Sequence, residues 1–134
     1  MLKSVVVAIV GAMFLFLTTG RAEAASTLRL QANLRSTGTT ATKSVAKYEE
    51  KPRGSLVEQR FKVEVQNATP GAQMDVFVNT TQLGTITINQ FGRGSLDLRV
   101  NGNDPGTSVP SLPFMKAGDK VRVGTMSGVF VTRN

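Results

Sequence analysis

Phe61-Lys62-Val63-Glu64-Val65 is the stretch that decides the fold. Apolar and charged residues alternate through it, and successive side chains of a β-strand point to opposite faces of a sheet. Phe61, Val63 and Val65 therefore share one face, which the pattern predicts to be buried, while Lys62 and Glu64 face solvent. A strand of this kind belongs to a sheet with one face on a core and one face in water.

Similar alternation recurs on both sides of this strand. No apolar period of 3.6 residues follows Ala24, so no helix is predicted there. About seven or eight short strands predict an all-β fold, an antiparallel β-sandwich, with a small barrel as the alternative. The other predicted strands are 28–34, 45–48, 74–78, 85–88, 96–100, 120–123 and 129–132, and the predicted turns are 36–40, 49–54, 67–71, 101–106 and 125–128.

The N-terminal segment has the order of a secretory signal peptide. Lys3 precedes an apolar run, Val5–Leu17, and Ala22-Glu23-Ala24 offers the small residues that a signal peptidase accepts. The sequence predicts a signal peptide over residues 1–24 and a single β-sandwich-like domain over 25–134, secreted or periplasmic. An uncleaved membrane anchor is the alternative, but the run is shorter than the roughly 20 residues of a spanning helix. After cleavage no integral membrane segment is expected.

Composition limits the chemistry. The chain has 16 Lys and Arg against 9 Asp and Glu, with no His and no Cys. Without residues 1–24 the balance is 14 to 8, a net charge of +6. Such a surplus attracts polyanions in general. The absence of imidazoles and thiols removes most zinc, iron and copper ligand sets and the common nucleophile and base pairs. We therefore expect no enzymatic activity, no cofactor and no metal site.

Carboxylates are the remaining catalytic or ligating groups. Glu58 and Glu64 lie beside Arg and Lys on the charged side of a strand, which is more typical of a solvated face with ion pairs than of a glycosidase acid pair. Asp104 and Asp119 lie in turns, where a side chain hydrogen-bonds nearby backbone more often than it binds Ca²⁺. The two sequons, Asn67-Ala68-Thr69 and Asn79-Thr80-Thr81, are of a kind that arises often by chance.

A basic stretch, Lys43, Lys47, Lys51 and Arg53, carries the most functional content. If the chain is extended here, the three lysines share one face and Tyr48 lies on the other. Phosphate-rich polymers such as lipopolysaccharide, teichoic acid or extracellular DNA bind such stripes through counterion release. The alternative is a solvated edge strand whose lysines discourage aggregation. The sequence favours the edge strand, because two glutamates interrupt the run and few aromatic residues are present for stacking.

A short motif occurs twice. Arg53-Gly54-Ser55-Leu56 recurs as Arg93-Gly94-Ser95-Leu96, and each copy precedes a predicted strand. The copies are either remnants of a duplication or two turns that lead independently into strands. The second interpretation is favoured, because repeat architectures need at least about three copies.

A series of hairpin motifs follows Phe61. The motifs are Phe61-x-Val63-x-Val65, Pro70-Gly71, Asp75-Val76-x-Val78-Asn79, Leu83-Gly84-Thr85-Ile86, Gly92-x-Gly94-x-Leu96-x-Leu98, and Ala117-Gly118-Asp119 before Val121-x-Val123. Their order resembles that of a loosely defined group of small exported bacterial β-domains of uncharacterised function. The resemblance implies a sandwich-like exported domain and brings no catalytic residue with it.

Two functional hypotheses follow. The first is an exported non-enzymatic β-domain with a binding or surface-structural role. The alternative is a weak polyanion- or sugar-binding module, whose partner is an anionic polymer of the cell surface and whose site is the basic stretch. Sugar binding usually uses exposed aromatic platforms, and the chain has one Tyr and no Trp.

Overall fold

The computed structural model describes residues 26–36, 41–102 and 106–134. The predicted signal peptide and Asp104 lie outside these ranges. Within them the chain forms strands and no helix. The strands are β1 (Leu28–Leu34), β2 (Lys43–Arg53), β3 (Leu56–Gln66), β4 (Gln73–Val78), β5 (Thr81–Thr87), β6 (Gly94–Val100), β7 (Thr107–Ser108), β8 (Lys120–Val123), β9 (Met126–Val129) and β10 (Val131–Thr132).

The strands form two sheets. A six-stranded sheet has the order β10-β1-β2-β3-β6-β7, and a four-stranded sheet has the order β5-β4-β8-β9. Neighbouring strands are antiparallel except β6 and β7, which pair in parallel at Leu98 and Thr107. The predicted all-β class is confirmed. The alternative of a small barrel is wrong, because two separate sheets form instead of one closed ladder.

The core lies between the two sheets. Phe61, Val63 and Val65 of β3 are almost completely buried, while Lys62 and Glu64 reach solvent, as the alternation predicts. Burying one large apolar side chain contributes about 1.5–3 kcal/mol relative to leaving it in water. Both sheets contribute to this core, which also includes Leu30, Ala32, Leu34, Ala46, Tyr48, Val76, Val78, Ile86, Ile88, Leu98, Val100, Leu112, Met115, Val121, Val123, Met126 and Phe130.

The hairpin of β2 and β3 is longer than the sequence suggests. A turn was expected over 49–54, but the two strands stay paired up to Arg53 and Leu56, and Gly54-Ser55 makes the turn. Gly54 has a φ of 63°, a conformation that residues with a side chain rarely adopt. The polar residues before it remain extended because each has a partner on β3 in the ladder.

The two copies of the Arg-Gly-Ser-Leu motif differ in structure. Gly54 and Ser55 form the turn before β3, whereas Gly94 and Ser95 already belong to β6. A Cβ atom at Gly94 would lie 2.5 Å from Cγ2 of Ile86, so glycine is needed there for close packing. The two glycines serve different purposes, in agreement with two independent strand starts.

The C-terminal segment crosses between the sheets. A hairpin of 120–123 with 129–132 was expected, but Val123 pairs with Met126 across a two-residue turn, and β10 leaves to pair with β1. The backbone of Arg35 also exchanges two hydrogen bonds with Ser127 of β9, at 3.0 and 3.1 Å. A Cβ at Gly128 would lie 2.5 Å from the backbone oxygen of Asn33. At this side the two sheets are therefore joined by backbone contacts.

A polar network closes one end of the core. The Tyr48 hydroxyl donates to Oε1 of Glu50 at 2.8 Å and accepts from Nε2 of Gln59 at 2.9 Å. Nε2 of Gln59 also donates to the backbone oxygen of Leu112 at 3.3 Å. These bonds satisfy buried polar atoms and attach the loop before β8 to the six-stranded sheet.

Candidate anion-binding face

The outer face of the six-stranded sheet, which is turned away from the core, is rich in positive charge. Across the strands, Arg29 lies opposite Glu49, Glu49 opposite Arg60, and Arg60 opposite Arg99. We call this surface the basic face. Its charged side chains are Arg29, Lys43, Lys47, Glu49, Lys51, Arg53, Glu58, Arg60, Lys62, Glu64, Asp97, Arg99 and Arg133.

All four residues of the predicted basic stretch lie on β2. Lys43, Lys47 and Lys51 alternate with residues that point to the core, and Arg53 follows at the end of the strand. The interpretation of this segment as an edge strand is wrong, because β2 lies between β1 and β3 in the middle of the sheet. Its lysines therefore do not protect a free edge.

Ion pairs neutralise only part of the basic face. They are Arg29–Glu49 at 3.0 Å, Lys51–Glu49 at 2.9 Å, Arg53–Glu58 at 2.9 Å, Arg60–Asp97 at 2.8 Å and Lys62–Glu64 at 3.0 Å. Within residues 26–36, 41–102 and 106–134, the side chains of Lys43, Lys47, Arg99 and Arg133 have no carboxylate partner. The more exposed of them, such as Lys62–Glu64 and Lys51–Glu49, contribute at most about 1 kcal/mol each. The face is therefore left with uncompensated positive charge.

A shallow depression lies in the basic face between β1, β2 and β3, beside the C-terminal segment. Its volume is about 250 Å³, and one carboxylate, Glu49, is part of its wall. The cationic side chains that line it are Arg29, Lys47, Arg60, Lys62 and Arg133. This basic depression brings together cations from both ends of the sequence.

The carboxylate of Glu49 is ionised within this surface. Partial burial by itself raises the pKa of Glu49, but hydrogen bonds and charge from Lys51 and Arg29 outweigh it and hold the pKa below its ordinary value. At neutral pH Glu49 therefore cancels one positive charge of the depression and orients Arg29.

Three other carboxylates singled out in the sequence, Glu58, Glu64 and Asp119, have structural partners. Glu58 and Glu64 are six positions apart in one strand, about 20 Å, well beyond the separation of a glycosidase acid pair. Asp119 accepts a hydrogen bond from the backbone N–H of Lys116 at 3.0 Å, as predicted for a turn. Asp104 lies outside the described residues.

The asparagines of the two sequons stabilise turns. Asn67 and Asn79 have φ of 58° and 54°, a region that asparagine adopts more readily than most residues. Oδ1 of Asn79 accepts a hydrogen bond from the backbone N–H of Lys120 at 3.1 Å. Val78 and Thr81 pair directly, so Asn79-Thr80 forms a tight two-residue turn.

The described part of the chain offers neither a cluster of metal ligands nor a long apolar helix. No group of three or more acidic side chains that could hold a metal ion occurs in this part of the chain. Nor does any described segment form a helix long and apolar enough to cross a membrane.

Comparison with known proteins adds no relative. No protein-family model matches the chain, and no curated protein matches it. Function is therefore inferred from the geometry of the basic face.

Sequence reasoning identified the lysines of β2 but missed their neighbours. Arg29, Arg99 and Arg133 come from β1, β6 and the segment after β10, and only strand order brings them to one surface. Lys62 is predicted correctly to face solvent, but the pattern does not predict that it lies opposite Lys47 of β2. For these residues the sequence shows only whether each cation lies on the inward or the outward side of its own strand.

Proposed function

We propose that the protein is an exported, non-enzymatic binding domain whose basic face binds an anionic polymer of the cell surface. One observation carries the proposal: the cations of the basic face come from a central strand and its neighbours and are only partly neutralised. A polymer rich in phosphate would gain affinity by releasing counterions from such a surface.

The shape of the surface supports a polymer rather than a small ligand recognised by stacking. The basic face has no exposed aromatic side chain among the described residues, since the exposed rings, Phe91 and Phe114, lie in loops between strands. A sugar-binding site of the stacking type is therefore less favoured, and charge is the feature that a ligand would recognise.

The test is binding of long-chain inorganic polyphosphate over a range of NaCl concentrations. We expect affinity to fall steeply as salt rises. Lys43→Glu, on the basic face, should weaken binding by roughly fivefold or more and reduce the salt slope by about one. Lys43 has no ion pair in the described part of the chain, so this change breaks no salt bridge.

The matched control is Lys120→Glu, which makes the same charge change on the four-stranded sheet. It should alter affinity by less than about twofold, because only long-range charge is affected. Equal losses in the two variants, or binding that salt does not weaken, would contradict the proposal.

A further inference from the structure

Positively charged residues lie next to one another at three places on the basic face. Lys47 is directly opposite Lys62 in the pairing of β2 with β3, and Arg60 is directly opposite Arg99 in the pairing of β3 with β6. The backbone N–H of Arg133 donates to the backbone oxygen of Arg29, which places these two residues side by side. Like charges at opposed positions of a sheet are destabilising.

Only some of these contacts are relieved by carboxylates. Lys62 pairs with Glu64, and Arg29 pairs with Glu49. Lys47 and Arg133 have no such partner in the part of the chain that the structure describes. Both line the basic depression, so its unneutralised charge is concentrated at these two side chains.

We propose that the basic depression binds one tetrahedral oxyanion group, a phosphate or a sulfate, with Lys47 and Lys62 as its direct ligands and Arg133 as a further positive charge in its wall. The proposal rests on the function proposed above and specifies the chemical group recognised. Lys47 and Lys62 occupy paired positions on one face, and the Lys62 ammonium has donors left beyond its ion pair with Glu64, so the two side chains can donate to different oxygens of one anion. The volume of about 250 Å³ accommodates such a group with part of its hydration shell.

The geometry also predicts that the folded protein is less stable when the site is empty. The repulsion between Lys47 and Lys62 opposes folding until an anion lies between them. Lys47→Gln should therefore make the free protein more stable at low salt, while removing the stabilisation that the anion provides. A residue with a purely structural role would not show these two opposite effects.

The experiment is thermal unfolding at low salt, with inorganic phosphate added and NaCl at matched ionic strength as the reference. Phosphate should raise the midpoint of the wild type about 3 °C or more beyond NaCl once its concentration is tenfold above Kd. Lys47→Gln should lose most of this shift, and Lys47→Arg should keep it.

Lys43→Gln is the matched control, because Lys43 lies on the same strand and face but opposite Gln66. It should keep the phosphate shift. If Lys47→Gln is stabilised by phosphate as much as the wild type and Lys43→Gln, or if phosphate acts no differently from NaCl, the site is refuted.

Polyphosphate binding separates two sources of the anion. A larger loss of affinity in Lys47→Gln than in Lys43→Gln assigns the site to a group carried by a polymer. Equal losses of polyphosphate affinity in the two variants, while phosphate still stabilises the wild type through Lys47, assign the site to free phosphate. If the wild type does not bind polyphosphate but phosphate still stabilises it through Lys47, the polymer-binding function fails and the anion site stands.

Discussion

At the scale of single residues, Tyr48 offers the clearest readout, because it is the one tyrosine of the chain. Its side chain is 1% exposed, and its hydroxyl is hydrogen-bonded to Glu50 and Gln59. Burial raises the pKa of the Tyr48 phenol well above its ordinary value of 10.0; the nearby Glu50 carboxylate raises it further, against the lowering effect of the Gln59 hydrogen bond.

The raised pKa predicts a loss of stability at alkaline pH. The stabilisation linked to this pKa shift is complete below about pH 10, where Tyr48 is neutral in both the folded and the unfolded state. It falls as pH rises towards the folded-state pKa, because only the unfolded chain then ionises. We expect phenolate absorbance of the native protein to appear well above pH 10. Tyr48→Phe should lack this part of the alkaline slope in urea unfolding. Titration of the native phenol near pH 10 would show that the network is absent.

At the scale of the strand, β3 contributes side chains both to the core and to the basic face. Phe61 is 0% exposed, while the next side chain, Lys62, reaches solvent, where it pairs with Glu64 and lies opposite Lys47. The two neighbours therefore differ in what they contribute to stability.

Phe61→Ala should cost about 3–5 kcal/mol, through lost burial and the cavity that remains. Lys62→Ala should cost less than about 0.5 kcal/mol, because the lost exposed ion pair is offset by relief of repulsion from Lys47. Urea unfolding of both variants measures the difference. Similar costs would mean that the inward and outward faces of β3 are wrongly assigned, and the basic face with them.

At the scale of the whole molecule, the exported form is expected to begin at Ala25 or within two residues of it, because Ala22-Glu23-Ala24 offers the small residues that a signal peptidase accepts. The described strands begin at Leu28, so cleavage there would leave every strand intact. Mass spectrometry of the N-terminus of exported protein tests this. Mature protein that retains Met1 would contradict export by a cleaved signal peptide.

The strands and their faces could be predicted from sequence because alternation is a local property. In β3, for example, Phe61 and Val63 are inside and Lys62 is outside whatever the neighbouring strands are. The positions at which strands end could be predicted less well from the sequence. The polar segment 49–53 looks like a turn by composition, yet it is a strand because β3 provides a partner for each of its residues.

By itself, then, the sequence determined the all-β class, the inward and outward faces of β3 and the common face of Lys43, Lys47 and Lys51 on β2. Only the tertiary structure decided that β2 is a central strand, and that Lys62 and Arg133 lie beside Lys47 in one depression. The physical reason is that strand order and register depend on pairing between distant segments, which the periodicity of any one segment does not encode.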